Sequence, residues 1–412
     1  MSMRRLVGGC GAFALSCLLI AAASSSQAQG PAAHPGASSA LPAASSGGSA
    51  SAPRAGQFAA QAASSVTLRW QPVARSSDRL TARQLGLVIN EADPYSVAVG
   101  EYYARRRGLA PAQVLRVRLP LQGRLGVSEF DGLKRAIDAH FGPETQALAL
   151  AWVTPFAVEC QSITGVLALG FDAQLCSRTC QRDARSPYFN ATTARPFTAF
   201  GWRPSMLIAA PSIDQARALI DRGIASDASL GLRGGLPVHA HFMVTTDAAR
   251  TVRAPAFPPP GLLRVKQTQI HVEQGDVPDA LLASSTTPNT AGHTPVLLVS
   301  TGVARLPPLR ADGWAPGALA DHLTSFGGVF DQDTGQSSAL IWIASGATAS
   351  YGAVSEPCNH PEKFPNPQML LMHYLQGTTA LEAYWKSVAW PRQGVFIGEP
   401  LAAPFAPRRV LP

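Results

Sequence analysis

Residues 85–90, Leu-Gly-Leu-Val-Ile-Asn, make a short unbroken apolar run. No alternation marks a wet face, so a strand here must be covered on both sides. Asp93-Pro94 follows at once and predicts a helix, with Asp as N-cap and Pro at the first helical position. That helix carries Val97, Val99, Tyr102 and Tyr103 and stops at Gly108. A second strand is predicted at 114–119. A second helix is predicted at 128–141, with Phe130, Leu133, Ile137 and Phe141 on one face. A third strand follows at 147–153. Strand and helix in regular alternation imply an α/β fold: a mostly parallel central sheet with helices on both faces.

The rest of the chain extends this pattern less regularly. Strands are predicted at 163–171, 206–209, 238–244, 295–300, 346–354 and 393–397. Ser212 caps a helix to about 225, and Thr246-Asp247 is read as the cap of another. Residues 318–325 read as a short helix, and 339–344 as the end of one. Helices at 369–374 and 379–387 form a hairpin. The polar stretch 176–196 reads as a surface excursion pinned by disulfides.

The N-terminal region looks like an export leader. Arg4 and Arg5 precede an uncharged apolar stretch, and Ser26-Gln27-Ala28 offers a small-x-small cleavage site, so 1–28 is read as a signal peptide. Residues 29–65 are Ala, Ser, Gly and Pro almost throughout, with too little to bury to offset the entropy of ordering, and read as a tether. The folded part is 66–412, one α/β domain or two subdomains joined near residue 200. No second apolar run is long enough to span a bilayer. The expected location is the periplasm or outside the cell.

The formal net charge is +8. The arginines are scattered, apart from Arg105-Arg106-Arg107, whereas a nucleic-acid protein would cluster them and interleave aromatics, so nucleic acid is not an expected partner. No cofactor is implied, and no particular partner is legible. Of six cysteines, Cys10 and Cys17 lie in the leader. Cys160, Cys176, Cys180 and Cys358 remain, an even set that suits two disulfides in an oxidising compartment, with three pairings open. Cys176-x-x-x-Cys180 lacks the tight pairs of a zinc ribbon.

Several motifs resemble an exported bacterial family without an assigned activity, over about residues 85–405. They are Gly100-Glu101-Tyr102-Tyr103-Ala104-Arg105, Glu159-Cys160-Gln161-Ser162-Ile163-Thr164, Ser186-Pro187-Tyr188-Phe189-Asn190, and the run from Ala349 to Cys358. More distantly, the order of the C-terminal elements is similar to gingipain-like peptidases, whose catalytic domain is caspase-like. The strand ending at Thr301-Gly302 resembles the one that ends there in a catalytic His-Gly. Thr324-Ser325-Phe326-Gly327-Gly328 resembles their Ser-Cys loop. Val395-Phe396-Ile397-Gly398-Glu399-Pro400 resembles their closing Gly-Asp-Pro. The resemblance implies a caspase-like topology. It also implies that the dyad is missing, because Thr301 and Phe326 stand where histidine and cysteine would be.

Two expectations follow. The first is a non-catalytic or atypical caspase-like domain, acting by binding in cell-envelope or surface biology. The second is an exported hydrolase whose nucleophile lies elsewhere. For the second, Cys358 and His360 sit two apart after a predicted strand end, where sites gather in open sheets. His322 and Ser325, spaced i, i+3, would share a face of the predicted helix. Glu356 and Glu399 each lie beside a proline at a predicted strand end, and over one edge they could form an acid–base pair or bind a cation. His239 and His241 alternate on a predicted strand and so share a face, as metal ligands would, although packing is the commoner role. His271 and Glu273 are further donors without a predicted position.

Overall fold

The apolar run at 85–90 is a strand with every residue buried. The computed structural model describes residues 71–230, 237–275, 295–310 and 312–407. The expected leader and tether lie outside the described residues. A short strand, β1 (Gln71–Pro72), comes first, so the buried run is β2 (Leu85–Asn90). The Asp93 carboxylate accepts from the Tyr95 N–H at 2.9 Å to start helix α1 (Pro94–Arg107), and Gly108 ends it in the left-handed conformation, φ 63°. Then come β3 (Val114–Val117), β4 (Arg124–Leu125), α2 (Val127–His140) and β5 (Ala147–Leu150). α2 buries Phe130, Leu133 and Ile137, the stripe its periodicity implied.

The middle of the chain departs from expectation. After β6 (Ala157–Val158) and β7 (Gln161–Ser162), residues expected as a strand form helix α3 (Ile163–Leu169). The Ser162 hydroxyl accepts from the Gly165 N–H at 2.9 Å, an N-cap that decides the matter. Six of the seven residues of α3 are buried, so no polar face betrayed the helical period. Short helices α4 (Ala173–Ser177) and α5 (Pro196–Phe200) lead to β8 (Ser205–Leu207), α6 (Ile213–Ser226) and β9 (Val238–Phe242). Asp247 does not start a long helix. Its carbonyl accepts from Arg250 and Thr251 N–H and closes a single turn. An unanticipated hairpin follows, β10 (Gly261–Val265) and β11 (Thr268–Gln274).

The last third contains β12 (Val296–Gly302), β13 (Trp314–Leu323), α7 (Leu340–Ser345), β14 (Ala349–Ala353), α8 (Pro367–Leu375), α9 (Ala380–Ser387) and β15 (Gly394–Gly398). Residues 318–325, expected as a helix, are mostly strand β13. Burial on both faces removed the alternation that would have identified it.

Twelve strands form one sheet in the order β1-β10-β11-β9-β12-β13-β14-β15-β8-β5-β2-β3. β8 lies between β5 and β15, so the sheet runs unbroken across residue 200. The pairs β9–β12, β12–β13 and β13–β14 are parallel. So are β15–β8, β8–β5, β5–β2 and β2–β3. The β14–β15 ladder between the two groups is antiparallel. Arg124, beyond β3, donates to the Val354 carbonyl beyond β14, and Phe156, beyond β5, packs on Phe330 beyond β13, so segments that follow strands of both groups meet at one edge. No helix among the described residues is long and apolar enough to cross a membrane.

Candidate functional site

β12, β13 and β14 run parallel, so the segments that follow them gather at one carboxyl edge. That edge carries Thr301-Gly302, then Thr324 to Gly328, then the loop from Val354 to His360. Its interior is filled by an arginine. The guanidinium of Arg253 donates to Asp321 Oδ1 at 2.6 Å, to the Thr301 carbonyl at 2.6 Å and to the Pro365 carbonyl at 3.1 Å. Both members of the Arg253–Asp321 pair are buried, and burial raises the Asp321 carboxyl above its ordinary value, with Arg253 offsetting only part of that rise. Gly302 is required where it stands, because a Cβ there would lie 1.7 Å from the Arg250 carbonyl oxygen. The turn at Gly327-Gly328 is equally close-fitting: Gly328 N–H donates to the Ala353 carbonyl, and a Cβ on Gly328 would sit 2.4 Å from the Gly352 oxygen. Phe326 packs partly buried against the core.

His322 and Ser325 do not share a helix face. His322 ends a strand, and Ser325 lies beyond it in the turn. Trp342 Nε1–H donates to His322 Nδ1 at 2.9 Å, which leaves the proton on Nε2, where it is donated to the Ser337 carbonyl at 2.9 Å. Both nitrogens are committed, and burial pushes the imidazole down to about 4. Since the ordinary value is 6.5, unfolding takes up a proton across the interval between them, and this part of the stability is lost as pH falls through it. His322→Asn should therefore lose stability less steeply than the parent, by about 1.4 kcal/mol per pH unit between about pH 6 and 4.5. Urea midpoints of the two proteins across that interval measure the difference, and parallel slopes would refute it.

The four cysteines of the folded part are paired Cys160–Cys176 and Cys180–Cys358. Cys358 therefore has no thiol to ionise in this state. Cys358 and Asn359 both adopt positive φ, 58° and 56°, in a tight turn held by the Glu356 carboxylate, which accepts from the Cys358 N–H at 2.8 Å. His360 contacts the Cys180 carbonyl through Nε2 at 2.8 Å, and its ring rests on Trp390.

Glu356 and Glu399 do not meet over one edge. In the antiparallel ladder Ala349 faces Gly398 and Ala353 faces Gly394, so the residue after Gly398 lies at the opposite end from Glu356. Glu399 is fully buried. Its Oε1 accepts from the Tyr103 hydroxyl at 2.8 Å and Arg107 Nε at 2.9 Å, and its Oε2 from Arg107 Nη2 at 2.6 Å. Arg107 reaches Asp227 as well. This is a structural ion cluster at the far ends of α1 and α6.

His239 and His241 do share a face of β9, half-buried between Val238, Ala240 and Phe242 on the other. β11 lies beside β9 in parallel, with His271 opposite His239 and Glu273 opposite His241. His239 Nδ1 lies 2.6 Å from Glu273 Oε1, and His241 Nδ1 lies 3.4 Å from Glu273 Oε2. The His239 ring stacks on His271, with centroids 4.8 Å apart and planes 3° from parallel. Burial lowers both imidazoles of β9, His241 to about 4, with Glu273 acting in the other direction. The alternation of Thr-Gln-Ile-His-Val-Glu-Gln in β11 was the signal that would have placed His271 and Glu273 together on one face.

No family model matches this chain, and no curated relative does. A solved structure described as "Structure of Protease" superposes over 79% of this chain and 79% of that one, with a TM-score of 0.41 and 10% sequence identity. A likeness of that size decides neither the fold's detail nor an activity.

Proposed function

We propose that this chain is a non-catalytic, caspase-like binding domain that works outside the cytoplasm. The observation that carries the reading is the filled edge. Where a cysteine peptidase needs a thiolate and an imidazole within hydrogen-bond reach, this edge holds Thr301, Phe326 and the buried Arg253–Asp321 pair. Cys358, the nearest sulfur in the sequence after Phe326, is oxidised, and His322 has both nitrogens occupied. The disulfides also favour an oxidising compartment.

The test is hydrolysis by the oxidised full chain. A mixed peptide library, a thiol-directed probe and a fluorophosphonate probe are each expected to give no turnover and no labelling. Cys180→Ser, which frees Cys358, is expected to remain inactive although its thiol now alkylates. Hydrolysis that appears in Cys180→Ser and vanishes with His360→Ala would overturn the proposal, as would parent activity lost in Ser325→Ala.

A further inference from the structure

The geometry points to a binding site for a zinc-type divalent cation on the sheet face formed by β9 and β11, held by His239, His241 and Glu273. Three observations converge on it. The ligand-type atoms of these side chains all lie within 4.8 Å of one another. They come from neighbouring parallel strands, with His239 and His241 two residues apart on β9 and Glu273 directly opposite His241, so backbone hydrogen bonds rather than loops set their spacing. The side chains are half-buried, accessible enough for an ion to enter but shielded enough to hold it.

The donor set selects the class of ion. Two imidazoles and one carboxylate are borderline ligands that suit zinc and its first-row neighbours, not calcium or magnesium, which prefer oxygen alone. Zn–N and Zn–O bonds of about 2.0–2.1 Å in a tetrahedron place neighbouring donors about 3.3 Å apart. His241 Nδ1 already stands 3.4 Å from Glu273 Oε2. His239 Nδ1, now 2.6 Å from the other carboxylate oxygen, would give up that hydrogen bond to bind the ion. Three protein ligands leave a fourth position for water, an external donor or His271, whose ring is stacked on His239. The site uses no residue of the filled edge, so it does not depend on the reading of that edge.

Zinc chloride titrated into the full-length, untagged protein by calorimetry tests this. The expected result is one ion per chain, with affinity reduced at least about 100-fold in His239→Gln and in Glu273→Gln, since even changes behind the ligands commonly cost 10–100-fold. Thermal melts of both variants without metal establish that they fold. Cobalt(II) provides a readout that needs no variant: the parent should give the intense visible absorption of a four-coordinate imidazole site. Equal zinc affinity in the parent and the folded variants would overturn the inference. Should the variants fail to fold, a cobalt spectrum indistinguishable from that of the hydrated ion would overturn it.

Discussion

Replacement of Cys180 and Cys358 together by serine is expected to lower stability by about 5 kcal/mol, the largest effect of any change considered for this chain. The bridge closes a loop of 178 residues, so its removal releases much conformational freedom in the unfolded chain. It also ties the 176–196 excursion to the loop beyond β14, where Lys363 Nζ donates to the Thr179 carbonyl and Arg392 pairs with Asp183. The Cys160–Cys176 bridge spans only 16 residues, and its double serine variant should lose about 2 kcal/mol less than the first. Urea unfolding of both variants beside the oxidised parent gives the comparison. Should the short bridge cost as much as the long one, chain entropy is not what these disulfides supply.

Arg253→Met is expected to cost about 3–5 kcal/mol, because Asp321 would be left buried without its countercharge. The carbonyls of Thr301 and Pro365 would lose their donor in the same step. Arg253→Met with Asp321→Leu should regain part of that loss, since two apolar side chains leave no unpaired charge, while the two carbonyls stay unserved. The double-mutant cycle is read from denaturation midpoints. A single-variant loss under about 1 kcal/mol would mean that water reaches Asp321 and that the edge is more open than its hydrogen bonds imply.

Much of the architecture is legible in the sequence. The Asp93-Pro94 start, the Gly108 stop and the buried run of β2 each reflect a local rule, and each is met where the sequence placed it. The failures share a cause. α3 and β13 are buried on every side, so neither helical nor strand periodicity survives in their residues. The reversal of direction at β14–β15 was illegible for a related reason: five buried residues carry no mark of which way a strand runs. That reversal parted Glu356 from Glu399, which sequence proximity to strand ends had suggested could meet. At the histidine face, the pair on β9 was visible. Its partner Glu273 lies on a strand whose pairing depends on contacts made some thirty residues away.

The position of β15 has a consequence for the order in which this molecule can assemble. The last strand among the described residues is an interior one, lying between β14 and β8. Until it is present, each half-sheet ends in a row of unpaired amides and carbonyls at what will become the middle of the molecule. A chain emerging from its N-terminus can build β2, β5 and β8 as it goes, but it cannot join them to β12, β13 and β14 until β15 has been delivered. The two groups of strands therefore join only once β15 is present, and a chain cut before Gly394 is two open sheets rather than a slightly smaller protein.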